Sequence, residues 1–199
     1  MLVAANQAAW AENIGVVSRL EAWGLPAWLI TLVIAMLPVI ELRGAIPVSH
    51  LVLGMPILPA AALSLLGNLI PVAPVLLFLG PAAKALSRVP LFEKFFDWLF
   101  ARTRSRSELV KRYQMLGLML FVAVPLPMTG AWTGAVAAFL FGIGFWPALL
   151  FISLGVLIAA LIVTALVLMG FWGAVIAGTA LCLTALLASW RALNRRQDV

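Results

Sequence analysis

Glu41 and Arg43 are the only Asp, Glu, Lys or Arg residues between Ala22 and Ala83, in the run Met36-Leu-Pro-Val-Ile-Glu-Leu-Arg-Gly-Ala-Ile-Pro47. An ionised side chain at the bilayer centre costs about 2.5–3.5 kcal/mol on insertion scales, so a chain that keeps two of them in such surroundings has a use for them. A guanidinium holds its charge at every accessible pH and can grip a phosphate or carboxylate, whereas a carboxyl can exchange a proton. The pair therefore offers anion binding beside proton coupling. A purely structural reading is that the two charges neutralise each other for folding; at i,i+2 they diverge on a regular helix, so a direct pair requires a non-helical tip. His50 lies one or two turns further on. It is a candidate proton relay, and otherwise a histidine hydrogen-bonded within a bundle. Asn68, between Gly67 and Pro71, either lines a cavity or links helices.

The elements that must position these residues are membrane helices. A composition that is 65% hydrophobic and 10% charged, with mean hydropathy +1.15, does not suit a soluble domain. From Tyr113 to Trp190 there is no Asp, Glu, Lys or Arg at all. The +6 net charge comes from basic residues flanking apolar spans, which points to lipid headgroups and not to nucleic acid. Cys182 is the single cysteine, so the chain has no disulfide framework, zinc spacing or redox pair. No paired carboxylates, nucleophile–base set or metal ligand set is present, and neither an enzyme, a metal nor a cofactor is expected. The amino terminus lacks a clean apolar signal region and is expected to be retained.

A ~30 Å hydrocarbon core needs about 20 helical residues. Ile57–Leu79, Trp146–Leu168 and Phe171–Trp190 meet that length. The other apolar stretches are interrupted: Pro26–Ile40 and Gly44–Leu53 flank Glu41-Leu-Arg43, and Gly117–Val124 and Gly130–Phe141 flank Pro125-Leu-Pro127-Met-Thr129. Pro38, Pro47, Pro125 and Pro127 are expected to halt helix near these tips. The expected fold is thus an all-α integral membrane domain over 1–199 with two re-entrant helical hairpins and about three transmembrane helices. Two kinked full-length helices are the alternative to the hairpins.

At an offset of about 87 residues, Gly44-Ala45 falls on Gly130-Ala131, Gly54 on Gly142, Pro59 on Pro147 and Leu66-Gly67 on Leu154-Gly155. Repeat 1 then covers about 26–79 and repeat 2 about 114–168, followed by a C-terminal helix at 171–190. Eight Lys or Arg in 84–112, with Arg191, Arg195 and Arg196, put that segment and the C-terminus in the cytoplasm and the N-terminus outside. One crossing separates the hairpins, which makes the repeats inverted, as in transporter folds. Phe92, Phe95, Phe96 and Leu99 oppose Glu93, Lys94 and Asp97 on an amphipathic helix of the cytoplasmic surface; Trp10, Ile14 and Val17 form a weaker stripe near the outer surface.

At Glu41-Leu-Arg-Gly-Ala-Ile-Pro47, Leu66-Gly-Asn-Leu-Ile-Pro71 and Val124-Pro-Leu-Pro-Met-Thr-Gly-Ala-Trp-Thr-Gly134 the chain resembles the small multidrug export family of prokaryotic membrane proteins, from about Leu32 to Gly170. That resemblance implies a multi-pass protein of the bacterial or archaeal cell membrane. The two opposed hairpins also resemble the architecture of the DedA family, whose members are associated with translocating a lipid-phosphate carrier and with proton-dependent resistance. The second hairpin here departs from the DedA pattern in carrying no formal charge.

The second half of each hairpin begins near Gly44 or Gly130, where free amides carry partial positive charge and favour an anion. The expected substrate site is Arg43, Gly44, Thr129, Gly130 and Thr133, with Glu41 and His50 in proton coupling and Asn68 as a polar cavity residue. The expected partners are membrane lipids and a lipid or amphiphilic cargo, with a homo-oligomer left open. The favoured function is proton-coupled translocation of an anionic amphiphile such as a lipid phosphate. Export of hydrophobic cations with Glu41 as counter-ion, and a non-transporting scaffold, are the alternatives.

Overall fold

The structure is a computed structural model that describes the backbone of residues 15–86, 108–125 and 129–194, and the side chains of 15–81, 113–125, 129–180 and 182–183. No strand occurs among the described residues. The amphipathic stretch around Phe92–Leu99, most of the basic segment, and Trp10, Ile14 and Pro127 lie outside them.

After a helical segment at 15–22, the chain forms α1 (Ala27–Met36), α2 (Glu41–Pro47) with a π-helical turn (Val48–Val52), α3 (Ile57–Leu69) and α4 (Val72–Leu86). Then come α5 (Glu108–Ala123), α6 (Ala131–Leu140), α7 (Phe145–Leu168) and α8 (Phe171–Asn194). Both interrupted regions are therefore pairs of short helices. The first interruption is displaced from its expected place: it occupies Leu37–Ile40, around Pro38, so that Glu41 and Arg43 stand in the first turn of α2 and not in the gap.

Regular α-helix ends at Pro47, as expected, but the chain stays helical through the π turn that follows it. The wider i→i+5 bonding of that turn shows in the Leu53 amide, which bonds the Val48 carbonyl at 3.1 Å. Pro125 does stop α5.

Two described helices have the length and apolarity to cross a membrane, Ile57–Pro81 with 25 residues and Phe145–Leu168 with 24. The first bends at Ile70-Pro71, between α3 and α4. α8 has 24 residues, with side chains described only as far as Leu183. The exposed residues of Ile57–Pro81 and Phe145–Leu168 are apolar, among them Leu58, Phe78, Leu161 and Leu168, as a lipid-facing surface requires. Trp146 in the first turn of α7 and Trp172 in the first turn of α8 stand exposed, as residues of an aromatic belt would.

Helices in lipid gain little from apolar burial against one another and associate through close van der Waals contact, which favours small residues. Each pair packs on a long helix through a glycine. A Cβ on Gly67 of α3 would lie 2.5 Å from the Leu32 carbonyl oxygen of α1, and one on Gly155 of α7 would lie 2.7 Å from the Met119 oxygen of α5. Ala131, Gly134, Ala135 and Ala138 give α6 a buried face of the same character. α2 packs on α7, while α6 packs on α4. Gly54 and Gly142 end the second helix of each pair in the left-handed region, at φ +66° and +67°. Val17, the one described residue of the N-terminal apolar stripe, is buried with Ile30, Ile34 and Val48, which packs the 15–22 segment on α1 and the helix after it.

Gly117 has open space where a Cβ would go, so Gly117→Ala should hold or raise stability by up to about 1 kcal/mol through helix propensity. Gly155→Ala should lower it by about 1–3 kcal/mol by forcing α5 from α7. Thermal unfolding of the two variants in detergent should shift in opposite directions.

Candidate functional site

Helix ends dictate what must happen where the two pairs meet. A helix leaves its first amides and last carbonyls without internal partners, and in apolar surroundings each needs one from elsewhere. α1 ends at Met36, α2 starts at Glu41, α5 ends at Ala123 and α6 starts at Ala131. Side chains from each pair satisfy the ends of the other.

Arg43 reaches from α2 to the carbonyl end of α5. Its Nη2 donates to the carbonyls of Val122 at 2.9 Å, Val124 at 3.2 Å and Thr129 at 3.2 Å, and to Thr129 Oγ1 at 3.4 Å. The other terminal nitrogen, Nη1, donates to Glu41 Oε2 at 2.9 Å. A cation on helical carbonyls is the favourable sense of the helix dipole. Trp132 returns the service from α6, its indole N–H donating to the Met36 carbonyl at the end of α1 at 3.1 Å.

Glu41 is 5% exposed. Its carboxylate accepts the backbone amides of Ala131 and Trp132, the first two residues of α6, as well as Arg43. An anion on the amide end completes the dipole match. The side chain arrives there from φ +51°, the single non-glycine positive φ among the described residues. Such a backbone costs of order 1–3 kcal/mol and persists only where its surroundings hold it. It also resolves the i,i+2 geometry: with Glu41 out of regular helix, Glu41 and Arg43 pair directly.

Gly130 is required by close approach. Its φ of −84° is available to any residue, but a Cβ would overlap both Glu41 carboxylate oxygens. Thr129 Oγ1 donates to the Val124 carbonyl at 2.8 Å and Thr133 Oγ1 to the Gly130 carbonyl at 3.1 Å, so both hydroxyls serve the α5–α6 connection. Gly44 is not a free-amide position: its N–H bonds the Ile40 carbonyl at 3.1 Å within the first turn of α2.

His50 lies in the π turn, about 13 Å along the helix from Glu41 at 1.5 Å per residue. Its Nδ1 bonds the Met55 carbonyl at 2.8 Å, which secures the turn after α2. Asn68 is buried on α3 one turn from buried Ser64, and Asn68 Oδ1 and Ser64 Oγ have no partner among the described residues. No hydrogen bond links His50 or Asn68 to Glu41 or Arg43 among the described residues. The structure thus joins Glu41, Arg43, Thr129 and Gly130, sets Thr133 one turn away, and leaves His50 and Asn68 in other surroundings.

Trp132, Val122 and Val124 were not expected in the site. A buried indole needs an acceptor, and that was the available signal for Trp132. The valines contribute only carbonyls, whose role depends on where α5 stops. Thr31 and Ser49 form another buried polar contact, Oγ1 to Oγ at 2.7 Å, between α1 and the π turn. Among the described residues no cluster of metal-ligating side chains occurs.

The family model described as "Putative small multi-drug export protein" matches residues 41–162, more than half of the chain, and begins at Glu41 itself. The chain belongs to this family. It is a membrane protein of an export family, which is not an enzyme class. Neither a curated protein nor a solved structure matches the chain significantly.

Gly130→Ala should cost about 3–5 kcal/mol, the scale of a disrupted buried ion pair. In a Glu41→Ala background the same change should cost far less, because the added methyl then meets empty space. Unfolding midpoints of the four proteins in this double-mutant cycle give the coupling, and additive losses would detach Gly130 from the carboxylate.

Proposed function

We propose that the protein is a transporter whose site lies at mid-membrane between two re-entrant hairpins, α1–α2 and α5–α6, and that it translocates an anionic amphiphile such as a lipid phosphate with proton coupling. The observation that carries this reading is the Glu41–Arg43 pair. It is buried in an apolar chain and held on the ends of broken helices from both hairpins, so any relative movement of the tips changes what both charges touch. A pair serving folding alone could sit within one helix and needs no such junction.

The inverted-repeat arrangement is supported by matched backbone details. Gly54 and Gly142 share a positive φ, Gly67 and Gly155 press on the first helix of their own half, and each hairpin's second helix packs on the other half's long helix. Together with the charge bias of the loops, this supports a reading in which the open ends of the hairpins lie on opposite faces. In this reading Arg43 is the permanent charge that binds cargo, Glu41 is the titrating group, and Thr129, Gly130 and Thr133 shape the opposing tip. Export of hydrophobic cations, with Glu41 as the counter-ion, is the second reading, favoured by the family's description.

Topology is testable at two exposed positions, Val52 and Phe141, with Cys182 replaced. Val52→Cys should label from outside and Phe141→Cys from the cytoplasm; labelling of both from one side would remove the inverted repeats. Phe141 is preferable to Gly142, whose positive φ a cysteine would strain.

For function, Arg43→Ala should abolish cargo binding at every pH between about 5 and 8, a range a shifted carboxyl can cover. Glu41→Gln should keep binding and lose its pH dependence and uphill flux in proteoliposomes. Normal binding by Arg43→Ala with loss in Glu41→Gln would select the cation exporter. Wild-type flux from both would reduce the pair to a folding device.

A further inference from the structure

Building on the anion-transport reading, we propose that Glu41 is a tethered occupant of the cargo site: its carboxylate stands where the anionic group of the cargo binds, so that cargo and the seated carboxylate exclude each other. The donors converging on that carboxylate come from both hairpins, namely the amides of Ala131 and Trp132 and Nη1 of Arg43. The missing side chain of Gly130 leaves the space that the carboxylate fills. This is a complete anion cradle with an anion already in it.

Glu41 meets Arg43 through Oε2 alone. Arg43 Nε is buried and has no acceptor, but its N–H lies on the guanidinium edge shared with Nη2, the nitrogen that donates to the α5 carbonyls, and not beside Nη1. What the cradle offers an anion is therefore Nη1 and the two α6 amides, donors that the oxygens of a phosphate can share as those of the carboxylate do.

Exchange at one cradle also couples the proton to the cargo without a relay. When Glu41 takes up a proton it gives up its claim on Arg43 and the amides, and a singly charged cargo enters in its place. Arg43 faces one negative charge before and after. No other charged or titratable side chain contacts Glu41 from α1, α3, α6 or α7, which carry none; those of α5 lie in its first turns, about 15 Å from Val122, and His50 bonds Met55.

The test uses the purified full chain and two phosphodiesters whose single charge is constant between pH 5 and 8: didecyl phosphate as lipid and dimethyl phosphate as free anion. Wild-type protein should bind more tightly as pH falls. Glu41→Gln and Glu41→Ala should bind at pH 8 at least tenfold more tightly than wild type, with no pH dependence. Adding Ala131→Pro to Glu41→Ala should weaken binding again, because proline suits the first helical position and removes only an amide donor; Tm and gel-filtration profile check that this variant is folded. Binding of both probes assigns the cradle to the anionic group, and binding of didecyl phosphate alone adds the chains as a requirement. If neither Glu41 variant binds more tightly than wild type at pH 8, Glu41 is no occupant, even where Arg43-dependent transport persists. Loss of that transport reading itself would show separately, as wild-type flux from Arg43→Ala.

Discussion

Everything near the centre of this protein follows from the need to satisfy the ends of broken helices where water is scarce. A continuous membrane helix bonds its own backbone, but each interruption exposes amides on one side and carbonyls on the other. Here the exposed carbonyls of α5 are met by Arg43, those of α1 by Trp132, and the exposed amides of α6 by Glu41. The two charges are placed in the sense of the dipoles they touch and are also paired with each other. Removing either one leaves the other charge and a helix end without a partner.

Much of this was legible in the sequence because proline and glycine carry local meaning that apolar context does not erase. The interruptions near Pro38 and Pro125, and the glycines Gly67 and Gly155 at matching places in the two long helices, rest on such residues. The isolation of Glu41 and Arg43 among apolar residues was enough to single out the pair that joins α2 to α5 and α6. Illegible were the features that depend on where a backbone stops. Arg43 binds carbonyls of valines, which no residue type announces, and Glu41 adopts a left-handed conformation that only its partners on α6 make tenable. Pro47 did mark the end of regular α-helix, but the π turn that carries the chain on from it had no signal of its own.

The same logic separates the polar residues that were grouped on proximity alone. His50 and Asn68 are near Glu41 in sequence or in the apolar core, yet His50 is engaged by the turn that follows α2. Ser64 and Asn68 instead share one buried face of α3. They contribute polarity to the packing of α3, whereas the charges sit where α2, α5 and α6 converge.

The junction is asymmetric in a way that bears on movement. Both formal charges belong to α2, and the α5–α6 tip contributes only backbone dipoles and hydroxyls. On the proposed mechanism, a displacement of the first tip carries Glu41 and Arg43 together as a neutral pair, which is far less costly to move through an apolar interior than a single ion. The second tip can then release the pair without leaving a charge of its own behind; what it loses are bonds to amides and carbonyls, which water or the anionic end of a cargo can replace. A symmetric arrangement with one charge on each tip would separate opposite charges in low dielectric at every opening, and the Coulomb attraction between them would hold the tips shut.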